Sequence, residues 1–255
     1  MNGPSSVQAV LTDIEGTTTS LSFVRDTLFP YARRHLLDYV RSHRDDPRVK
    51  AIFEDIRIGE LRPSLGEDAI IALLHRWIDD DRKITALKTL QGYVWEEGYR
   101  SRVLSGHVYD DAVVQLRAWN ARGLRLYVYS SGSVAAQKLL FGSTPHGDLT
   151  RQFAGFFDTA VGSKREVESY VAIASAIGTP ACKILFLSDT LQELDAARAA
   201  GMATTWLNRD AQPASGIGHP HACTFDDIDP FRHNQDHVDE QGPPSSRPST
   251  EPEVS

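Results

Sequence analysis

Two hydrophobic periodicities divide the chain. Short unbroken runs of Val, Leu, Ile, Phe and Tyr occur in "VQAVLTD" (7–13), "LRLYVYSS" (124–131), "FFDTAVGS" (156–163), "KILFLSD" (183–189) and "MATTWLN" (202–208). An apolar run of this length that ends in small polar or acidic residues predicts a strand buried on both faces, as in a parallel sheet. Between the later runs, apolar positions recur at helical spacing in "DDAVVQLRAWNARG" (110–123) and "LQELDAARAAG" (191–201). Each closes on a glycine, the residue that most readily takes the left-handed backbone beyond a helix C-terminus. Strand and helix in alternation predict an α/β fold, a doubly wound parallel sheet of Rossmann-like order.

Residues 21–105 break the alternation. They hold helix patterns only: "SFVRDTLFPYARRHLLDYVRSH", "DPRVKAIFEDI", "SLGEDAIIALLHRWIDD" and "ITALKTLQGYVWEEGY". Ser64 and Glu67 fit the S-x-x-E capping box at the start of the third. This predicts a helical cap (21–105) inserted into a discontinuous core (7–20 and 106–232). The remainder, 233–255, is rich in Pro, Ser, Glu and Gln and is expected to be disordered.

Composition narrows the function class. Of 255 residues, 41% are hydrophobic and 24% charged, ordinary globular usage. A net charge of -7 opposes a sequence-blind nucleic-acid binder, which needs surplus Lys and Arg to displace counterions. The two cysteines, Cys182 and Cys223, form no CxxC motif, so neither a disulfide scaffold nor a zinc site is indicated. No basic-then-apolar leader and no membrane-length apolar run is present, and a cytoplasmic protein is expected.

In an open parallel sheet ligands bind beyond the carboxyl ends of the strands, so the residues there carry the candidate chemistry. Asp13 and Glu15 follow the first run, in "LTDIEGTTTS". A carboxylate can attack phosphorus, and a second beside it can protonate the leaving oxygen and then activate water. Two carboxylates this close repel unless a cation relieves them. Ser130 and Ser131 end the second run ahead of a helix pattern, and hydroxyls and N–H groups at a helix start hold phosphate. Ser163 and Glu166 fit another capping box, which would put Lys164 at the first helical position. There the helix dipole disfavours it, unless an anion is bound. Asp189 ends the fourth run, placed to share an ion with Asp13; an oxygen-only ligand set and a phosphate substrate suit Mg²⁺. Thr190 and Glu193 fit a third capping box, which accounts for Glu193 without a catalytic role. Nucleophile, acid/base, phosphate holders, cation and ion ligand together make a set for phosphoryl transfer through a carboxylate.

These residues resemble the four motifs of the haloacid dehalogenase-like phosphatases. The longer stretches "DIEGTTTS", "LQGYVWEEGY", "GHVYDD", "YSSGSVAAQKLLFG", "FFDTAVGSKREVESY" and "ILFLSDTLQELDAARAAGM" are similar to one branch, the acireductone-forming enolase-phosphatases of methionine salvage. Most of the superfamily has Asp where this chain has Glu15; that branch usually has Glu. The resemblance implies conversion of the small-molecule phosphorylated diketone 2,3-diketo-5-methylthiopentyl-1-phosphate to its enol phosphate, then to 1,2-dihydroxy-3-keto-5-methylthiopentene and phosphate, through an aspartyl-phosphate at Asp13. It implies Mg²⁺ at Asp13, Glu15 and Asp189, phosphate held by Ser130, Ser131 and Lys164, and a monomer with no nucleic-acid or membrane partner. For the carbon-bound proton Glu15 comes first, with Tyr93 and Glu96 as alternatives. Trp95 and Tyr99 are expected to pack the cap, and His107 to be a hinge residue. The rival readings are a phosphatase for another small ester, a non-catalytic binding protein, and a metal-free dehalogenase.

Overall fold

The computed structural model describes residues 7–80, 82, 84–209 and 218–232. The tail expected over 233–255 lies outside them. A six-stranded sheet runs in the order β3-β2-β1-β4-β5-β6, with every pairing parallel. Its strands are β1 (Ala9–Thr12), β2 (Arg125–Tyr129), β3 (Phe153–Phe157), β4 (Ile184–Ser188), β5 (Ala203–Leu207) and the two-residue edge β6 (His221–Ala222). The first strand of the chain lies inside the sheet, so the order reverses beside it. That is the switch point where open α/β sheets bind ligands.

The third strand corrects the sequence reading. Only Phe156 and Phe157 of "FFDTAVGS" are extended. The chain turns at Asp158, whose carboxylate accepts the N–H groups of Ala160 (2.9 Å) and Val134 (3.0 Å). The strand extends backward instead, through Gly155, where a Cβ would lie 3.1 Å from the Tyr127 ring.

After β1 the chain enters α1 (Leu21–Phe23), passes one π turn (Val24–Leu28), and continues as α2 (Phe29–Ser42), α3 (Pro47–Gly59), α4 (Glu67–Asp79) and α5 (Thr85–Arg100). Apolar faces of α2 to α5 meet in their own cluster, built on Leu36, Ile52, Ile70, Leu74, Leu87 and Leu90. Ser64 does not cap α4: Gly66 holds the N-cap position, because the chain first turns through a Leu65 N–H to Arg62 carbonyl bond of 3.0 Å. Trp95 donates from Nε1 to the Leu28 carbonyl at 2.8 Å, and buried Tyr99 packs with Leu28 and Leu104, so both aromatics pack as expected. Glu96 is paired with Arg100, and Tyr93 lies beneath Arg48.

The later helices cover both faces of the sheet. α6 (Asp110–Ala121) and α7 (Val134–Gly142) pack on the face carrying Val10, Val128 and Leu187. α8 (Val167–Ile177) and α9 (Leu191–Ala199) pack on the face carrying Leu11, Tyr129 and Phe186. Alternate residues of one strand thus feed two cores, and the doubly wound expectation holds.

His107 stands where the chain returns beside its exit after β1. Its Nδ1 accepts the Ser20 N–H at 3.2 Å, which leaves the ring proton on Nε2, and Phe23 stacks on the ring. Burial, then the nearby Arg209 charge, lower its pKa, against the opposing pull of Asp110; His146 adds to the lowering. Below about pH 6.5 the unfolded chain therefore binds the proton more readily than the folded one, and stability falls as pH drops through that range. We expect Tm to decrease from pH 7 to pH 5.5, and part of that slope to vanish in His107→Asn, whose amide oxygen can replace Nδ1 as acceptor. Equal slopes in the two proteins would sink the assignment.

Candidate active site

The loop after β1 is built by its own side chains. Asp13 keeps one ladder bond, N–H to Leu187 carbonyl at 2.9 Å, before the chain turns. The N–H groups of Thr17 (3.2 Å) and Thr19 (2.9 Å) both return to the Ile14 carbonyl. Gly16 sits at φ +75°, and a Cβ there would lie 2.0 Å from Asp189 Oδ2. Glycine is needed on both counts, conformation and space. The three threonines that follow are fully buried. Thr18 donates to the Asp13 carbonyl at 3.2 Å, and Thr17 Oγ1 accepts the Asp189 N–H at 3.1 Å. The loop therefore fixes Asp13 and Asp189 relative to each other. Glu15, half-buried, bridges through its backbone to Thr19.

Lys164 lies against this loop. Its ammonium donates to Asp13 Oδ1 at 2.5 Å and pairs with Glu193 Oε2 at 2.7 Å. The side chains of Lys164, Asp13 and Glu193 are only 9%, 6% and 12% exposed, so the three charges are held largely out of water. Burial alone would lower the lysine pKa; the charges of Asp13 and Glu193 outweigh it and raise it. Burial, with Asp13's charge, raises Glu193 above the ordinary glutamate range, although Lys164 opposes this. Asp189 is raised by burial and by the charge of Asp13.

Two capping-box readings fail here, each for its own reason. α8 begins only at Val167, because residues 163–166 form a turn closed by the Glu166 N–H to Ser163 carbonyl bond of 3.1 Å. Lys164 therefore precedes the helix, anchored by the Tyr170 hydroxyl donating to its carbonyl at 2.7 Å. Thr190 stands at the N-cap of α9 but makes no side-chain cap; its hydroxyl donates to Asp189 Oδ1 at 3.0 Å. Glu193 is thereby free of the box and accepts from Ser188 Oγ at 3.0 Å and from Lys164. The sequence reading missed Glu193 as a site residue. The signal was a carboxylate in the first turn of α9, four residues after Asp189 and within reach of the end of β4.

Ser130 and Ser131 diverge. Ser130 is buried, its Oγ accepting the Gly132 N–H at 3.2 Å, while Ser131 is exposed. The cap of α7 is Ser133, whose Oγ accepts the Ala136 N–H at 3.3 Å. Both serines thus follow β2, the neighbour of β1, and neither is used up as the cap of α7.

Two carboxylates, Asp13 and Glu193, pair with one ammonium, and a third, Asp189, lies close enough that the charge of Asp13, after burial, raises its pKa. Among the described residues no group of three or more His, Cys, Asp or Glu forms a ready-made metal cage. That donor chemistry fits Mg²⁺, which binds through one or two carboxylates and keeps several waters, the rest of its shell coming from substrate phosphate. Softer metals would call for nitrogen or sulfur ligands.

A family model of the haloacid dehalogenase-like hydrolases matches residues 7–201, and the chain belongs to that family. Within it the resemblance is sharper. The enolase-phosphatase E1 of Methylococcus capsulatus is 54% identical over 88% of this chain and 98% of its own. That of Pseudomonas aeruginosa (strain UCBPP-PA14) is 56% identical over the same shares. The crystal structure of the UTR4 protein of Saccharomyces cerevisiae superposes with a TM-score of 0.74 at 36% identity, covering 87% of this chain and all of that one. The chain stands among the enolase-phosphatases E1.

Proposed function

We propose that this protein enolises 2,3-diketo-5-methylthiopentyl-1-phosphate and then dephosphorylates it to 1,2-dihydroxy-3-keto-5-methylthiopentene, as a monomer in the cytoplasm with Mg²⁺. The observation that carries the reading is the buried Asp13–Lys164 pair at 2.5 Å, set at the sheet's switch point in a chain 52–56% identical to enolase-phosphatases E1. Lys164 occupies Oδ1 of Asp13, and the other carboxylate oxygen attacks phosphorus in line with the leaving enol oxygen. The phosphoryl group passes to Asp13 while Glu15 protonates the departing oxygen; Glu15 then takes a proton from water as that water cleaves the aspartyl-phosphate. Lys164, Ser130 and Ser131 hold the phosphoryl oxygens. Asp13 and Asp189, with Glu15 beside them, would hold Mg²⁺, which when bound offsets charge developing on the substrate oxygens.

For the carbon-bound proton, Glu15 remains the first choice. Tyr93 and Glu96 are engaged within the helical unit by Arg48 and Arg100. That unit, residues 21–105, acts in this reading as a cap that shields the reacting enol from water.

The test is to supply the purified protein with the diketone phosphate and Mg²⁺ and follow enol absorbance and free phosphate together. Both should appear, and EDTA should stop both. Phosphate release without an enol signal, from this or another ester, would favour the simple phosphatase. Hydrolysis of no ester at all would favour a binding protein.

A further inference from the structure

Arg209 follows β5 and reaches back across the sheet. Its Nη1 and Nη2 donate to the two carboxylate oxygens of Asp111 at 3.1 and 3.0 Å, while Nε and Nη2 donate to the Thr17 carbonyl at 3.2 and 3.0 Å. The guanidinium carbon, Cζ, lies over the Tyr109 ring, 3.6 Å from its centroid. Both partners are largely buried, at 14% and 15% side-chain exposure. Asp111 is fixed in turn: its Oδ2 accepts the Phe225 N–H at 2.8 Å. Burial works against its ionisation, but Arg209 and the Phe225 N–H outweigh this and hold its pKa low. The guanidinium thus uses its fork, its edge and its face at once, which lysine cannot imitate.

The link to the site runs through Thr17. Its carbonyl takes Arg209 and its hydroxyl takes the Asp189 N–H. Thr17 also follows Gly16, which packs on the Asp189 carboxylate. Asp13 has, besides its Thr18 contact in this loop, a ladder bond to Leu187 that does not depend on Thr17, and Lys164 is held by Asp13 and Glu193. Loosening Thr17 therefore disturbs Glu15 and Asp189 more than the Asp13–Lys164 pair.

We propose that Arg209, braced by Asp111, is a positioning residue that sets Glu15 and Asp189 through the Thr17 carbonyl. It rests on the proposed function for the roles of those two acids. It predicts damage to turnover rather than to phosphate binding.

The experiment measures kcat and KM for Arg209→Ala, Arg209→Lys and Asp111→Asn, with the diketone phosphate and separately with p-nitrophenyl phosphate, after circular dichroism confirms folding. In Arg209→Ala kcat should fall about 100-fold, the scale of a misplaced catalytic group, with KM moving less than about twofold. Tens of millimolar guanidinium ion should restore part of that rate, since the ion can refill the site between Asp111 and Thr17; a merely structural loss would not be repaired at a concentration this far below the denaturing range. Arg209→Lys should remain slow and Asp111→Asn be intermediate. A kcat within about threefold of wild type, or a loss carried by KM with no guanidinium recovery, overturns the proposal. Should Arg209→Ala not fold, the other two decide: wild-type kcat in both overturns it, and reduced kcat at unchanged KM supports it. Were the wild type to hydrolyse only p-nitrophenyl phosphate, the enolase reading would fail while the positioning role would still be decided on that ester.

Discussion

Asp13→Asn will stop phosphate release and leave the protein folded. The amide keeps the shape of the carboxylate, and the N–H of residue 13 still reaches the Leu187 carbonyl, so the loop through Gly16 keeps its course. Lys164 loses one partner but retains Glu193 at 2.7 Å. What disappears is the proposed nucleophile, and removal of an attacking group from a concerted set costs on the order of 10⁴-fold or more in kcat. Glu15 is untouched but residue 13 also belongs to the proposed Mg²⁺ ligand set, so enol absorbance should still appear at raised Mg²⁺, more slowly than in the wild type, while free phosphate stays at background. Phosphate release within about tenfold of wild type would place the nucleophile elsewhere.

Asp13 was legible in the sequence because a strand buried on both faces reads as an apolar run, and the polar residue that ends it stands out. The same contrast located Ser130 and Asp189. Lys164 was found by type and order, but its setting was misjudged, since Ser163-x-x-Glu166 satisfies a turn as well as a capping box. Glu193 was missed through the same template at Thr190: a capping box is a local pattern, while the bond Glu193 makes to Lys164 joins residues 29 positions apart in sequence. The third strand was displaced because Gly155 reads as a break, and only the Tyr127 ring packed against it shows why a glycine belongs there. Arg209 was beyond reach for a related reason. Its partners, Asp111 and Thr17, come from distant segments, and nothing in "LNRD" marks them.

Lys164→Met will cost both stability and turnover, and the two losses can be separated. Methionine fills most of the lysine's volume but leaves Asp13 and Glu193 facing each other in a site from which water is largely excluded. Removing one partner of a buried ion pair costs about 3–5 kcal/mol, because the remaining charge stays desolvated and uncompensated. In a chain of this size that lowers Tm by roughly 10 °C. Lys164→Met/Glu193→Gln removes one of the two stranded charges and should recover much of the lost Tm, a coupling that a double-mutant cycle measures directly. Turnover should not recover. The double variant still lacks the cation proposed to face the phosphoryl oxygens, and the loss of such a preorganised group costs roughly 10²–10³-fold in rate. A single variant that melts with the wild type would show that Lys164 does not balance the buried acids. Return of both stability and turnover in the double variant would mean that the lysine serves only to neutralise Glu193 and makes no contribution at the phosphate.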